Sequence, residues 1–172
     1  MNKSIMLIGL PGSGKSYLSN KLKYILNKNI IDLDMILIDN IGPLQDYINK
    51  NGIEEFTNKE FDVCNAVLSN YNNNIISPGG SIVYYDSIMS KLKMKEDLII
   101  IFLNVSLNEV LKRTNNFNNR GVVLDNTLPK SKSYEKMYKE RYLLYKKYCH
   151  YEIKSDNITT QNILSIYYNH TS

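Results

Sequence analysis

The chain has 172 residues, 43% hydrophobic and 22% charged, with Lys+Arg 21 against Asp+Glu 17 for a net charge of +4. This length suits one domain with a core of its own, and the composition excludes a wholly disordered chain. The lysines are scattered rather than blocked, which speaks for a small anionic ligand at least as much as for nucleic acid, and no stretch approaches the roughly 20 apolar residues of a membrane span.

Lys3 to Ile8 reads as a short strand whose apolar run, Ile5-Met6-Leu7-Ile8, enters Gly9. Gly9-Leu10-Pro11-Gly12-Ser13-Gly14-Lys15-Ser16 then fits G-x-x-x-x-G-K-[ST]. Glycines let successive backbone N–H groups point at one anion, the lysine reaches the outer phosphates, and the hydroxyl that follows is placed to ligate Mg²⁺. Tyr17 to Leu26 carries Leu18, Leu22, Ile25 and Leu26 at helical spacing, so the loop opens a helix whose dipole adds positive potential. Strand, glycine loop and helix together are the context this motif requires. Gly12, Ser13, Gly14, Lys15, Ser16 and Tyr17 are accordingly assigned to ATP, and Ser16 to Mg²⁺.

Asn29-Ile30-Ile31-Asp32-Leu33-Asp34 reads as a second strand with acidic residues at its end. Two residues apart on a strand, Asp32 and Asp34 point the same way, toward the crevice where ligands of open α/β sheets gather. One would support Mg²⁺ and its water while the other takes a hydrogen bond from a substrate hydroxyl. The competing expectation, of equal weight, is a helix N-cap, because Met35-Ile36-Leu37-Ile38 follows at once.

Gly42-Pro43 breaks the chain before a short helix over Leu44–Lys50, and Asn51-Gly52 breaks it again. Ile53 to Tyr71 has Phe56, Phe61, Cys64, Val67, Leu68 and Tyr71 near helical spacing. Ile75-Ile76 leads into Ser77-Pro78-Gly79-Gly80-Ser81, which is either a backbone approach to a ligand or a plain turn. Asp97 to Leu103 is continuously apolar and is expected to be a central parallel strand covered on both faces. Ser106-Leu107-Asn108-Glu109 has the form of a capping box, opening a helix to about Thr114.

Residues 115–128 are polar and non-periodic and carry Arg120 and Gly121, the pattern of a functional loop such as a lid over nucleotide. Helical pattern resumes over Ser133–Cys149 with a tyrosine-rich face assigned to packing. Tyr151-Glu152-Ile153 is a last strand, and Thr159 to about Tyr168 a terminal helix. The alternation of strands and helices predicts a three-layer α/β fold, a parallel sheet of about five strands with helices on both faces, in one domain over 1–172.

Cys64 and Cys149 match no metal or redox spacing and are expected to be buried thiols in a reducing compartment. His150 and His170 have no partner motif and are read as non-catalytic. With neither a targeting segment nor a span, a cytoplasmic protein without membrane or nucleic-acid partners, acting as a monomer on a small molecule, is expected. The chain uses only three arginines, Arg113, Arg120 and Arg141, so each marks a place where a planar bidentate fork is wanted.

These residues resemble shikimate kinases, within the nucleoside-monophosphate-kinase-like branch of P-loop proteins. The resemblance runs over nearly the full length. It rests on Gly9–Ser16, the Asp32/Asp34 pair, Ile53-Glu54-Glu55-Phe56 ahead of Glu60, Pro78-Gly79-Gly80, Arg113-Thr114 before Asn119-Arg120, and Glu140–Tyr145. It implies that Asp32 supports Mg²⁺, that Asp34 orients the acceptor hydroxyls as a catalytic group, and that Gly79 and Gly80 contact substrate. It further implies that Arg141 grips the substrate carboxylate, that Arg120 acts with Lys15 on the transferring phosphate, and that Arg113 packs against adenine.

The chain departs from the family motif at Thr57, where a second arginine clamps the carboxylate, at Pro78 for a glycine, and at Gly121 for a proline. Lys59 is a candidate to replace the missing clamp. The implied activity is ATP-dependent phosphorylation of the shikimate 3-hydroxyl, a step of aromatic amino acid biosynthesis. A different polyol or gluconate-like sugar acid as acceptor, or a non-catalytic nucleotide-binding module, are the alternatives.

Overall fold

The computed structural model describes residues 3–113, 124–125 and 127–171. Strands β1 (Ser4–Ile8), β2 (Asn29–Asp32), β3 (Asn74–Ser77), β4 (Leu98–Asn104) and β5 (Tyr151–Lys154) form one sheet in the order β2-β3-β1-β4-β5. Every pairing is parallel, with Ile5 facing Ile75 on one side and Ile99 on the other. Parallel neighbours need crossovers. Those between strands are α1 (Lys15–Leu26), then α2 (Leu33–Ile41), α3 (Leu44–Asn51) and α4 (Ile53–Leu68), then α5 (Asp86–Lys93), then α6 (Leu107–Arg113) and α7 (Lys130–Tyr148); α8 (Thr160–Thr171) follows β5.

The two-residue period of the strands divides the core into two layers. Ile5, Leu7, Ile75, Ile99, Ile101 and Leu103 face Leu18 and Leu22 of α1 and Ile163, Leu164 and Tyr167 of α8. Met6, Ile8, Ile76, Ile100 and Phe102 face Cys64 of α4, Ile88 and Met89 of α5, and Tyr145 and Tyr148 of α7. All residues of β1 and β4 are buried, so the unalternating apolar run of β4 has its reason: both of its faces are covered, although the middle strand is β1. Leu37, Leu44 and Phe56 make a smaller cluster that ties α2, α3 and α4 together beside the sheet.

Four elements differ from the sequence expectation. A 3₁₀ turn over Ile82–Tyr84 and helix α5 lie where the sequence reading assigned no element. Helix α4 stops at Leu68, before Tyr71. Helix α7 begins at Lys130, directly after Pro129, whose φ of −53° is ready for a helix start that its polar first turn conceals. The capping box is half formed: Ser106 Oγ accepts from the Glu109 N–H, but Asp156, not Glu109, accepts from the Ser106 N–H, at 2.8 Å.

Cys64 is buried as expected and Cys149 only partly so. His150 is structural, its Nδ1 accepting from the Ile100 N–H at 3.0 Å. No helix among the described residues is long and apolar enough to cross a membrane. The expected lid lies outside the described residues except for Leu124, Asp125, Thr127 and Leu128, and Arg120 lies outside them too.

Candidate active site

Because all five strands run parallel, their carboxyl ends share one edge, and there a cleft of about 280 Å³ opens between the Gly9–Gly14 loop, α2, α4 and α7. The loop needs its glycines. Gly9, Gly12 and Gly14 have φ of 152°, 83° and 99°. A Cβ on Gly9 would stand 2.8 Å from the Leu103 carbonyl oxygen, and that backbone cannot yield. Ser13 N–H donates to the Leu10 carbonyl at 3.1 Å and closes the turn that feeds α1. Lys15, only 8% exposed, lies across the loop, its Nζ donating to the carbonyls of Gly9 (2.8 Å) and Leu10 (3.0 Å). Gly12, Gly14, Lys15, Ser16 and Tyr17 all line the cleft, while Ser13 is buried behind them.

Opposite the loop stands an acidic wall. Asp34 lines the cleft from the first turn of α2. Asp32 does not line it: as N-cap of α2 its Oδ1 accepts from the Met35 N–H at 3.2 Å. The expectation that both aspartates project from one strand is thus corrected. The helix begins at Leu33, so a half-turn of helix, not a strand repeat, separates them, and the capping alternative holds for Asp32.

Glu60 is the acidic residue that sequence reading left without a role. It lines the cleft from α4, is 7% exposed, and accepts from Ser81 Oγ at 2.6 Å and the Tyr85 hydroxyl at 2.5 Å. Phe56 and Glu60, four residues apart, are the cleft face of α4, and that spacing was the available signal. Burial, then the Glu60 and Asp34 charges, push the Cys64 thiol up, so Cys64 stays a protonated thiol behind the acids.

The Pro78-Gly79-Gly80 segment lines the cleft as well, and close approach, not a bare turn, explains it. A Cβ on Gly80 would lie 2.8 Å from Arg141 Nη1 and 2.9 Å from Pro11 Cδ. The Gly80 carbonyl accepts from the Tyr145 hydroxyl at 2.8 Å.

Arg141 lines the same cleft and is 6% exposed. Its polar neighbours are the hydroxyls of Tyr84, 3.4 Å from Nε, and Tyr145. Burial opposes its charge, but Tyr145, Tyr84 and Glu60 outweigh burial and the guanidinium is held above its ordinary value. Among the described residues no carboxylate lies within ion-pair distance of it. A buried cation that faces a cleft with no carboxylate in direct contact can receive an anion there.

Several expected site residues lie outside this assembly. Arg113 does not line the cleft: its Nε donates to Glu109 at 2.9 Å and its Nη2 to the Asp156 carbonyl, joining α6 to the segment after β5. Thr57 is exposed and turns its hydroxyl back to the Ile53 carbonyl at 2.8 Å. Lys59, the candidate to replace the absent arginine, is exposed and does not line the cleft.

The donors present fit a polyphosphate with its metal: left-handed glycine turns, the α1 N-terminus, Lys15 and the exposed Ser16 hydroxyl. Among the described residues no group of three or more His, Cys, Asp or Glu is assembled as a cage.

The family model for shikimate kinase matches residues 11–170. The chain is 31% identical over 148 residues to the shikimate kinase of Clostridium botulinum (strain Okra / Type B1), covering 84% of each. It is 29% identical over 157 residues to the pentafunctional AROM polypeptide of Komagataella phaffii, covering 88% of this chain but only 10% of that much longer one. Among solved structures, the shikimate kinase from Acinetobacter baumannii in complex with shikimate superposes with a TM-score of 0.84 over 97% of this chain and 93% of that one. At 23% identity that likeness is one of fold.

Proposed function

The chain belongs to the shikimate kinase family, and on that footing we propose that it transfers the γ-phosphoryl group of ATP to the 3-hydroxyl of shikimate. The observation that carries the reading is Arg141, a buried guanidinium without a carboxylate partner among the described residues, set in one cleft with the phosphate loop and Asp34. A substrate with a carboxylate at one end and hydroxyls at the other meets all three.

In this reading the amides of Gly12–Ser16 and Lys15 bind and neutralise the phosphates, and Arg141 anchors the acceptor carboxylate. Asp34, with Gly79 and Gly80 beside it, orients the attacking hydroxyl and receives its proton. The acceptor oxygen bonds to the γ-phosphorus as the bond to the bridging oxygen breaks, and ADP leaves. When bound, Mg²⁺ would be held by Ser16 and would supply charge neutralisation on the phosphates; Asp32, assigned to the metal by its motif, caps α2. Tyr17 and Arg113 are assigned to the nucleotide side, and Arg120 to the transferring phosphate on its motif alone.

A second acceptor, another polyol or sugar acid, is favoured by one observation: Thr57 turns away from the cleft where a second carboxylate clamp is expected. ADP release by purified protein with ATP and Mg²⁺, with and without shikimate, tests the main reading. Shikimate-dependent release is expected. Release only with another hydroxy acid supports the second acceptor, and ATP binding without turnover on any acceptor overturns both.

A further inference from the structure

Glu60 and Arg141 are both nearly closed off from solvent, at 7% and 6% exposure. Among the described residues neither has an opposite charge at ion-pair distance. Buried ions that touch no opposite charge directly depend on hydrogen bonds to hold them. Tyr145 of α7 supplies one such contact to Arg141, and the others come from one stretch of seven residues, Gly79 to Tyr85, which also carries the glycine pair.

Within that stretch Ile82 and Val83, each 1% exposed, pin the 3₁₀ turn to the core. The two residues that follow reach different helices. Tyr84 covers Arg141 of α7, with the guanidinium carbon 5.2 Å from the ring centroid and Nε 3.4 Å from the hydroxyl oxygen. Tyr85 reaches α4, where its hydroxyl donates to Glu60 Oε2 and lies 3.3 Å from the Thr57 carbonyl oxygen. The hydroxyl therefore spans the residue that replaces the family's arginine and the acid one turn further on.

Resting on the reading of this cleft as an acceptor site, we propose that Tyr84 and Tyr85 are positioning residues that set its two buried charges. Tyr84 fixes the Arg141 guanidinium for the acceptor carboxylate, and Tyr85 fixes the Glu60 carboxylate toward the acceptor hydroxyls. The pocket then holds its acceptor with one guanidinium fixed by a ring instead of two, and its specificity follows from the turn after the glycines as well as from α4.

The three arginines of the chain make the test clean, because only three guanidinium Nε–H signals exist. The Arg141 signal, identified by its loss in Arg141→Lys, exchanges slowly in the wild type. It exchanges about tenfold faster in Tyr84→Ala, the change expected for one ordinary hydrogen bond, and stays partly protected in Tyr84→Phe, which keeps the ring. A slowly exchanging Tyr85 hydroxyl proton, lost in Tyr85→Phe, is expected alongside. In the kinetic arm, Tyr84→Ala and Tyr85→Phe raise the shikimate KM about tenfold and leave the ATP KM unchanged, and adding Thr57→Arg to Tyr85→Phe recovers part of the loss.

Unchanged Arg141 exchange in Tyr84→Ala, no protected Tyr85 hydroxyl, or equal shifts in both KM values overturns the proposal. Absence of shikimate turnover in the wild type overturns the acceptor assignment instead, and the exchange measurements still decide the roles of the two tyrosines.

Discussion

The backbone at Gly79 runs so close to Asp34 that a Cβ there would stand 2.7 Å from Asp34 Oδ1, and 3.4 Å from Glu60 Oε1. The glycine is thus a requirement of the acid wall and not of a turn. Gly79→Ala must displace the Asp34 carboxylate or the loop. A displacement of about 1 Å at a catalytic group is enough for a loss of roughly a hundredfold in acceptor kcat/KM. Overpacking should cost about 1–3 kcal/mol of stability. Steady-state rates and urea unfolding of the variant check both, and wild-type kcat/KM would show that Asp34 does not need its present position.

Lys15 and Asp34 line one cleft, and each is assigned to the proposed transfer. Lys15→Met and Asp34→Asn are each expected to lower kcat by about 10²–10³-fold, as for loss of one preorganised charge at a reacting phosphoryl group. Lys15→Met also leaves the Gly9 and Leu10 carbonyls short of a donor, at a cost of about 1 kcal/mol per bond, so the fold survives. Rates near wild type in either variant, with melting curves in hand, would remove the residue from the mechanism.

Thr57 is exposed on α4, one position past buried Phe56, where the family motif has an arginine. A charge-assisted bond to a carboxylate contributes about 1.5–3 kcal/mol. Thr57→Arg is therefore expected to lower the shikimate KM by about tenfold or more on top of measurable wild-type turnover. A gain from zero, with a silent wild type, would place the natural acceptor elsewhere.

Much of this was legible in the sequence because the signals were local. The glycine loop, the apolar strands and the helical spacing of α1 and α4 are fixed by neighbours a few residues away. The Asp32/Asp34 geometry was misjudged because one residue decides it: with Leu33 already helical, the strand repeat no longer applies and Asp32 caps the helix. Helix α5 was missed because it is eight residues long and follows a glycine turn, leaving too few apolar positions for a period to register. The Phe56/Glu60 spacing places Glu60 on the cleft face of α4, but the roles of Tyr84 and Tyr85 come only from contacts between segments 25 to 57 positions apart, which no spacing within one element reveals.

Glu152 offers a test of how the far edge of the sheet is held. It lies on β5, accepts from Lys146 Nζ at 2.5 Å and from the amide of Asn104, at the end of β4, at 2.6 Å. The Lys146 ammonium, against opposing burial and helped by Asn104, holds the Glu152 carboxyl below the usual carboxylate range. A carboxyl with a folded pKa below its unfolded value of about 4.3 contributes stability that is present above that value and lost as pH falls through the folded pKa. Glu152→Gln should therefore be less stable than the wild type at neutral pH, and the gap should narrow at an acid pH well below the unfolded value, as the wild-type carboxyl takes up its proton. Urea unfolding of both proteins at the two pH values measures it. A gap that stays constant or widens in acid would mean that Glu152 acts through the Asn104 hydrogen bond and packing, not through its charge.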